Sequence, residues 1–222
     1  MAIKAFFLDF YGTVVHEDDE IISTICQQIK EDAKTDATVS EIGAFWWKEL
    51  SKLFLESYGE TFKPQRVLET ISLKNTLAYF DSTLDENILS ELMFHHFDDS
   101  LEFFKQNKLP VYILSNIDTF DVKTAIAFHN LKVKEVITSE DVQSYKPRPE
   151  MFEKALKLSN LSKNEVIHVG DSLSSDISGA GSAGIKSVWL NRNNKEFKGK
   201  DKPTYMIKKL DELLSLELHE RR

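Results

Sequence analysis

The stretch Ile3-Lys4-Ala5-Phe6-Phe7-Leu8-Asp9-Phe10-Tyr11-Gly12-Thr13 decides how this chain is read. A short apolar run closed by an acid, a glycine and a hydroxyl is the pattern of a buried strand that ends in a tight turn. Open α/β sheets bind their ligands outside the carboxyl ends of the strands, so Asp9 stands where a nucleophile would be useful. Aspartates in that place also cap turns through their own side chains. The remainder of the sequence has to choose between the two readings.

Working outward, three more segments set polar residues just past a strand-like run. They are Leu114-Ser115-Asn116 after Val111-Tyr112-Ile113, then Ser144-Tyr145-Lys146-Pro147, then Val169-Gly170-Asp171-Ser172-Leu173-Ser174-Ser175-Asp176 after Val166-Ile167. In a parallel sheet all of these meet at one edge. Between the first and second, the pattern is helical near Asp19 to Ala33, Ser40 to Tyr58, Gln65 to Phe80 and Asp85 to Asn107. Strands resume at Val111 to Leu114, Glu135 to Thr138, Val166 to Val169 and Ser187 to Leu190, with Tyr205 to Ile207 as an edge candidate. The expected fold is therefore α/β, a doubly wound, Rossmann-like parallel sheet with an inserted α-helical domain. The core is expected at 1–15 and 95–222 and the insertion at 16–94.

Composition narrows the function classes. The 28 basic and 36 acidic residues leave a net charge of −8, with Lys and Arg scattered apart from short clusters such as Lys195 to Lys202. Nucleic-acid binding would need a continuous basic face, so a small-molecule substrate is expected and nucleic acid is not. The single cysteine, Cys26, excludes an internal disulfide and any multi-cysteine metal site, which suits a reducing, cytoplasmic setting. No apolar stretch is long enough for a membrane span, and the amino-terminal run is too short for a signal peptide. Phe45-Trp46-Trp47 and Phe54 give the insertion an aromatic surplus that either packs its own core or lines a substrate pocket.

In their order and separations the four polar segments resemble the haloacid dehalogenase (HAD) superfamily, in the form that carries a small helical cap. Gly184-Ile185-Lys186-Ser187-Val188-Trp189-Leu190-Asn191-Arg192 also reads like that family's late strand, so the resemblance spans nearly the whole chain. It implies a hydrolase with an Asp nucleophile, mostly for phosphoryl transfer. The implied catalytic residues are Asp9, Thr13, Ser115 and Lys146, with Ser115, Asn116 and Lys146 on the phosphoryl group. The implied Mg²⁺ ligands are Asp9, the backbone carbonyl of Tyr11 and Asp171, with Asp176 mainly behind them. Taken singly, Ser115 also reads as a helix cap, Lys146 as an exposed loop lysine, and Asp171 and Asp176 as capping acids.

Charge counting leads to the same metal. Asp9, Asp171 and Asp176 crowd one edge and Lys146 offsets only one of them. Like charges in a partly desolvated cleft raise pKa values or push apart. A hard divalent cation with oxygen ligands and waters, such as Mg²⁺, resolves that conflict.

Position 11 departs from the phosphatase form of the family, which has a second Asp there as general acid and base. Tyr11 is a poor substitute, because a free phenol titrates near pH ~10. Asp-x-Tyr-Gly-Thr instead resembles the 2-haloacid dehalogenases, which need no leaving-group acid. The fourth segment, Gly170-Asp171-Ser172, keeps the phosphatase form. The principal expectation is a Mg²⁺-dependent phosphatase of a small phosphorylated metabolite. The alternatives are a 2-haloacid dehalogenase and a catalytically weakened binding or regulatory protein. His16 and the run Glu17-Asp18-Asp19-Glu20 are candidate replacement acids, whereas His168 reads as a core side chain, and His95-His96 and His129 lack the partners of a transition-metal site.

Overall fold

The computed structural model describes residues 2–16, 19–89 and 98–216. By its internal contacts the chain forms two compact units, Met1–His16 with His95–Arg222, and Glu17–Phe94.

The first unit is built on a six-stranded, wholly parallel sheet of β1 (Ala5–Leu8), β2 (Val111–Ser115), β3 (Glu135–Thr138), β4 (Val166–Gly170), β5 (Lys186–Leu190) and β6 (Tyr205–Ile207). Their spatial order is β3-β2-β1-β4-β5-β6. The chain winds one way from β1 to β3 and the other way from β4 to β6, so the switch point lies between β1 and β4. Strands covered on both faces read as continuous apolar runs, and β1, β2 and β4 are buried at every position.

Because side chains alternate along a strand, β1 feeds two cores. Ala5 and Phe7 join Tyr112, Leu114, Met151, Phe152 and Ala155 on one face, where the helix Glu150–Ser159 packs. On the other face Phe6 meets Phe103 of α4 (Asp98–Gln106) edge-on at 5.6 Å. Each strand boundary in this unit falls within a residue or two of the sequence reading. The segment Asp85 to Asn107 departs from that reading. It contains a 3₁₀ turn at Glu86–Leu89 and α4 at Asp98–Gln106, while the residues between, His95-His96 among them, lie outside the described part.

The second unit stacks α1 (Asp19–Ala33), α2 (Val39–Glu56) and α3 (Gln65–Tyr79) around Ile25, Cys26, Ile29, Ile42, Trp46, Leu73 and Leu77. Thr38 starts α2 as half of a reciprocal capping box with Glu41. The aromatic surplus divides by position. Trp46 is buried and donates its indole N–H to Ser72 Oγ at 2.9 Å, Phe45 stacks on Tyr79 at 4.0 Å, and Trp47 is 62% exposed. No helix of the described residues is long and apolar enough to cross a membrane.

Candidate active site

The switch point brings the first and fourth segments side by side. Leu8 pairs with Val169 across β1 and β4, so the chain leaves both strands at the same level and delivers Asp9 next to the Gly170-Asp171 turn. The Asp9 N–H donates to the Val169 carbonyl at 2.9 Å, which carries the ladder one step beyond the strand and fixes the backbone of Asp9.

The turn after Asp9 is closed by its own backbone. Val14 and Val15 N–H both donate to the Phe10 carbonyl, at 2.7 and 3.0 Å, and Gly12 N–H donates to the Val15 carbonyl at 2.8 Å. Gly12 has φ +76°, and a Cβ there would stand 2.8 Å from the Asp171 carboxyl carbon. Only glycine allows both the backbone angle and the approach of Asp171. Thr13 is fully buried, and its Oγ1 has no hydrogen-bond partner among the described residues. Leaving a buried hydroxyl unpaired is costly.

After β4 the chain makes one π-helical turn, Leu173–Ile177, in which Asp176 and Ile177 N–H share the Ser172 carbonyl at 3.0 and 3.1 Å. Such bulges are rare and gather at functional sites. This one swings Asp176 back beneath the strand end, so close to Gly170 that any side chain there would collide with the Asp176 carboxyl.

Lys146 lies at the centre. Its ammonium donates to Asp9 Oδ1 at 2.7 Å, Asp176 Oδ1 at 2.6 Å and the Leu114 carbonyl at 2.8 Å. With its side chain 1% exposed it is a buried ion, and the reading as an exposed lysine is excluded. All three of its N–H donors are therefore used within the protein. Asn116 holds the lysine's backbone from both sides, accepting from its N–H at 2.7 Å and donating to its carbonyl at 3.3 Å across a cis Lys146–Pro147 bond. The Asn116 amide thus positions Lys146. Ser115 is buried at the end of β2, and its Oγ accepts from Ile117 N–H at 3.2 Å, leaving its own proton available.

The two carboxylates on Lys146 differ sharply. Burial, then the charge of Asp176, push Asp9 up to about 7 against the pull of Lys146. Burial also penalises Asp176, but Lys146 and His168 overcome it and hold that acid at about 2. His168 Nε2 lies 3.0 Å from Asp176 Oδ1, and Ser172 N–H reaches Oδ2 at 3.2 Å. Burial pushes His168 down towards its neutral form, so the bond to a carboxylate requires the Nε2–H tautomer. For Lys146, burial opposes the charge, and Asp176 and Asp9 more than offset it, holding the ammonium charged.

Asp9, Asp171 and Asp176 each offer an oxygen within 4.8 Å of the others. Asp176 already bonds Lys146, His168 and Ser172, so a cation would fall chiefly to Asp9 and Asp171. The donors are carboxylate oxygens, which fit a hard divalent ion. The charge count from sequence was incomplete, however. Arg192, just after β5, has its side chain 15% exposed, donates to Asp99 at 2.7 Å and to the Gly12 carbonyl at 3.2 Å, and feels the charge of Asp171. A lone arginine past a strand carries no signal by itself; only the folded sheet shows what it faces. His168 as a partner of Asp176 was missed for the same reason. His16 is exposed at the end of the turn, Glu17 and Asp18 lie outside the described residues, and the side chains of Asp19 and Glu20 do as well.

Comparison with known proteins agrees with this geometry. Residues 3–184 match the family model of haloacid dehalogenase-like hydrolases. The chain belongs to that family. Over 95% of both chains it is 26% identical to an (S)-2-haloacid dehalogenase of Pseudomonas fluorescens, and over 97% of both it is 26% identical to the pyrophosphatase PpaX of Anoxybacillus flavithermus. Among solved structures, the L-2-haloacid dehalogenase RSc1362 superposes with a TM-score of 0.80 at 18% identity, covering 97% of this chain and 98% of the other. The magnesium-bound HAD-hydrolase YfnB of Bacillus subtilis gives 0.72 at 21% identity over 97% and 98%. Those structural likenesses establish the fold, and the relatives divide between dehalogenases and phosphatases. This HAD-like chain is a hydrolase.

Proposed function

We propose that this hydrolase is a Mg²⁺-dependent phosphatase of small phosphorylated metabolites that works through an aspartyl-phosphate at Asp9. The observation that carries the reading is the carboxylate of Asp171 within 4.8 Å of Asp9 and Asp176, together with the buried Thr13 hydroxyl, which has no partner among the described residues. A haloacid is itself a carboxylate, and Asp171 would repel it, whereas a phosphate ester arriving with a cation meets complementary charge.

An Asp9 oxygen attacks phosphorus, the bond from phosphorus to the ester oxygen breaks, and the alkoxide leaves. Water then attacks the same phosphorus, releasing inorganic phosphate and restoring Asp9. Lys146 fixes the orientation of Asp9 and supplies charge rather than a free donor, while Thr13 Oγ1 and Ser115 Oγ donate to the phosphoryl oxygens. A magnesium ion held by Asp9, the Tyr11 carbonyl and Asp171 would supply the positive charge that keeps Asp9 ionised at neutral pH and offsets the anion. We assign substrate selection to the helical unit Glu17–Phe94, as a cap. Because Tyr11 is a weak acid, leaving groups that need no proton, as in phosphoanhydrides and aryl phosphates, are the favoured substrates.

The test is release of phosphate from p-nitrophenyl phosphate and from a metabolite panel with added Mg²⁺, lost in Asp9→Asn and on chelation. Inactivity across the whole panel would overturn the reading. The second reading, a 2-haloacid dehalogenase, draws on Tyr11 and on full-length similarity to the Pseudomonas enzyme. Halide release from 2-chloropropionate that is indifferent to chelator would establish it instead.

A further inference from the structure

Two side chains at the end of β5 reach out and bond the loops that carry the paired acids. The Trp189 indole N–H donates to the Asp171 carbonyl at 2.9 Å from a ring that is 2% exposed. Arg192 Nη1 donates to the Gly12 carbonyl at 3.2 Å. Its other arm is fixed by Asp99, whose Oδ2 accepts from Arg192 Nη2 at 2.7 Å and from Leu210 N–H at 2.5 Å. Gly12 is also where the two loops touch, with Asp171 filling the space a Cβ would need.

We propose that Trp189 and Arg192 form a bracket that sets the spacing between the Asp9 and Asp171 loops, and so pre-organises their oxygens for a divalent cation. Both are positioning residues, acting through backbone carbonyls and not on the substrate. The proposal rests on the metal reading above. Mg²⁺ demands near-ideal octahedral geometry, so a small slackening of either loop is felt in affinity. Hydrogen-bond partners behind metal ligands typically govern affinity by about 10- to 100-fold.

The charge on Arg192 pulls the other way, which makes the outcome decisive. A guanidinium near Asp171 competes with a cation for that carboxylate, so charge removal alone would tighten Mg²⁺ binding, while loss of the bracket would weaken it.

Isothermal titration with Mg²⁺ on the full chain compares wild type with Trp189→Phe, Arg192→Met and Arg192→Gln, each checked for folding by its melting curve. Hydrogen exchange on the metal-free proteins follows the amides of Gly12, Val14 and Val15, with β2 as an internal reference. The expected result is Mg²⁺ binding weakened about 10- to 100-fold in Trp189→Phe and Arg192→Met. Arg192→Gln, which retains an N–H for the Gly12 carbonyl, recovers part of the loss. Exchange of the turn amides rises about tenfold in Arg192→Met while β2 is unchanged. Wild-type or tighter Mg²⁺ binding in both Trp189→Phe and Arg192→Met overturns the bracket. Should wild type bind no Mg²⁺, the metal reading falls, and the exchange data alone decide the bracket: faster turn amides keep it, unchanged ones remove it.

Discussion

The loop after β1 and the loop after β4 each send an aspartate to the same ammonium, at 2.7 and 2.6 Å, and the two acids end in opposite states. Asp176 also receives His168 Nε2 and Ser172 N–H, so its charge is solvated by the protein and it remains ionised. Asp9 shares one ammonium with that ionised neighbour and is pushed up to about 7. Distance to the lysine is nearly equal, so the supply of further donors sets the difference. The fourth loop is finished as it stands, whereas the first loop is short of positive charge and of a partner for Thr13. A cation and an anionic substrate would supply both.

The largest expected effect comes from removing the unfinished acid. Asp9→Asn should lower phosphatase turnover by at least ~10⁴-fold, since a nucleophile has no local substitute. The same change should raise the melting temperature of the metal-free protein at pH 8. The sign follows from linkage. A carboxyl raised from 3.8 to about 7 binds more protons folded than unfolded, so its contribution to stability is fully present below 3.8 and is lost as pH rises through about 7. A lower melting temperature for Asp9→Asn at pH 8 would show that the buried charge is not penalised.

Asp176→Asn should act in the reverse sense. Breaking a buried pair that is already satisfied costs about 3–5 kcal/mol, read as a lower midpoint in urea with an unchanged slope. The Asp176 contribution is present above 3.8 and is lost as pH falls through about 2, so the defect should persist across the neutral range. If both variants were equally destabilised, the contrast between the loops would be wrong.

Thr13→Val separates a ligand donor from a structural one. Its hydroxyl bonds nothing among the described residues, so stability should change by less than ~1 kcal/mol while turnover falls about 10²- to 10³-fold, the worth of one aimed donor. A large loss of stability would mean that the hydroxyl has a protein or water partner.

The smallest effect is the pH dependence of cation binding. Mg²⁺ needs Asp9 ionised, so its apparent affinity should rise up to about tenfold per pH unit below about 7 and level off above, with proton uptake by the buffer measurable in calorimetry. A flat profile between pH 5.5 and 8 would place the charge difference elsewhere.

Much of this was legible before folding. Short apolar runs and period-3.6 patterns located the strands and helices, because burial on both faces of a sheet or one face of a helix leaves a trace in the chain. The ordered segments around Asp9, Ser115, Lys146 and Asp171 then placed the chemistry at one sheet edge, and glycine at 12 announced a tight turn. What the sequence by itself determined, then, was the doubly wound sheet, its helical insertion and the identity of the three acids and the lysine at its edge. Only the tertiary structure decided how those groups divide their work. Asn116 grips the Lys146 backbone, His168 serves Asp176, and Arg192 reaches Gly12 from far along the chain. The reason is physical. A pattern of burial is written locally, residue by residue, but the state of a buried charge depends on every donor around it, and those donors come from strands that meet only when the sheet is complete.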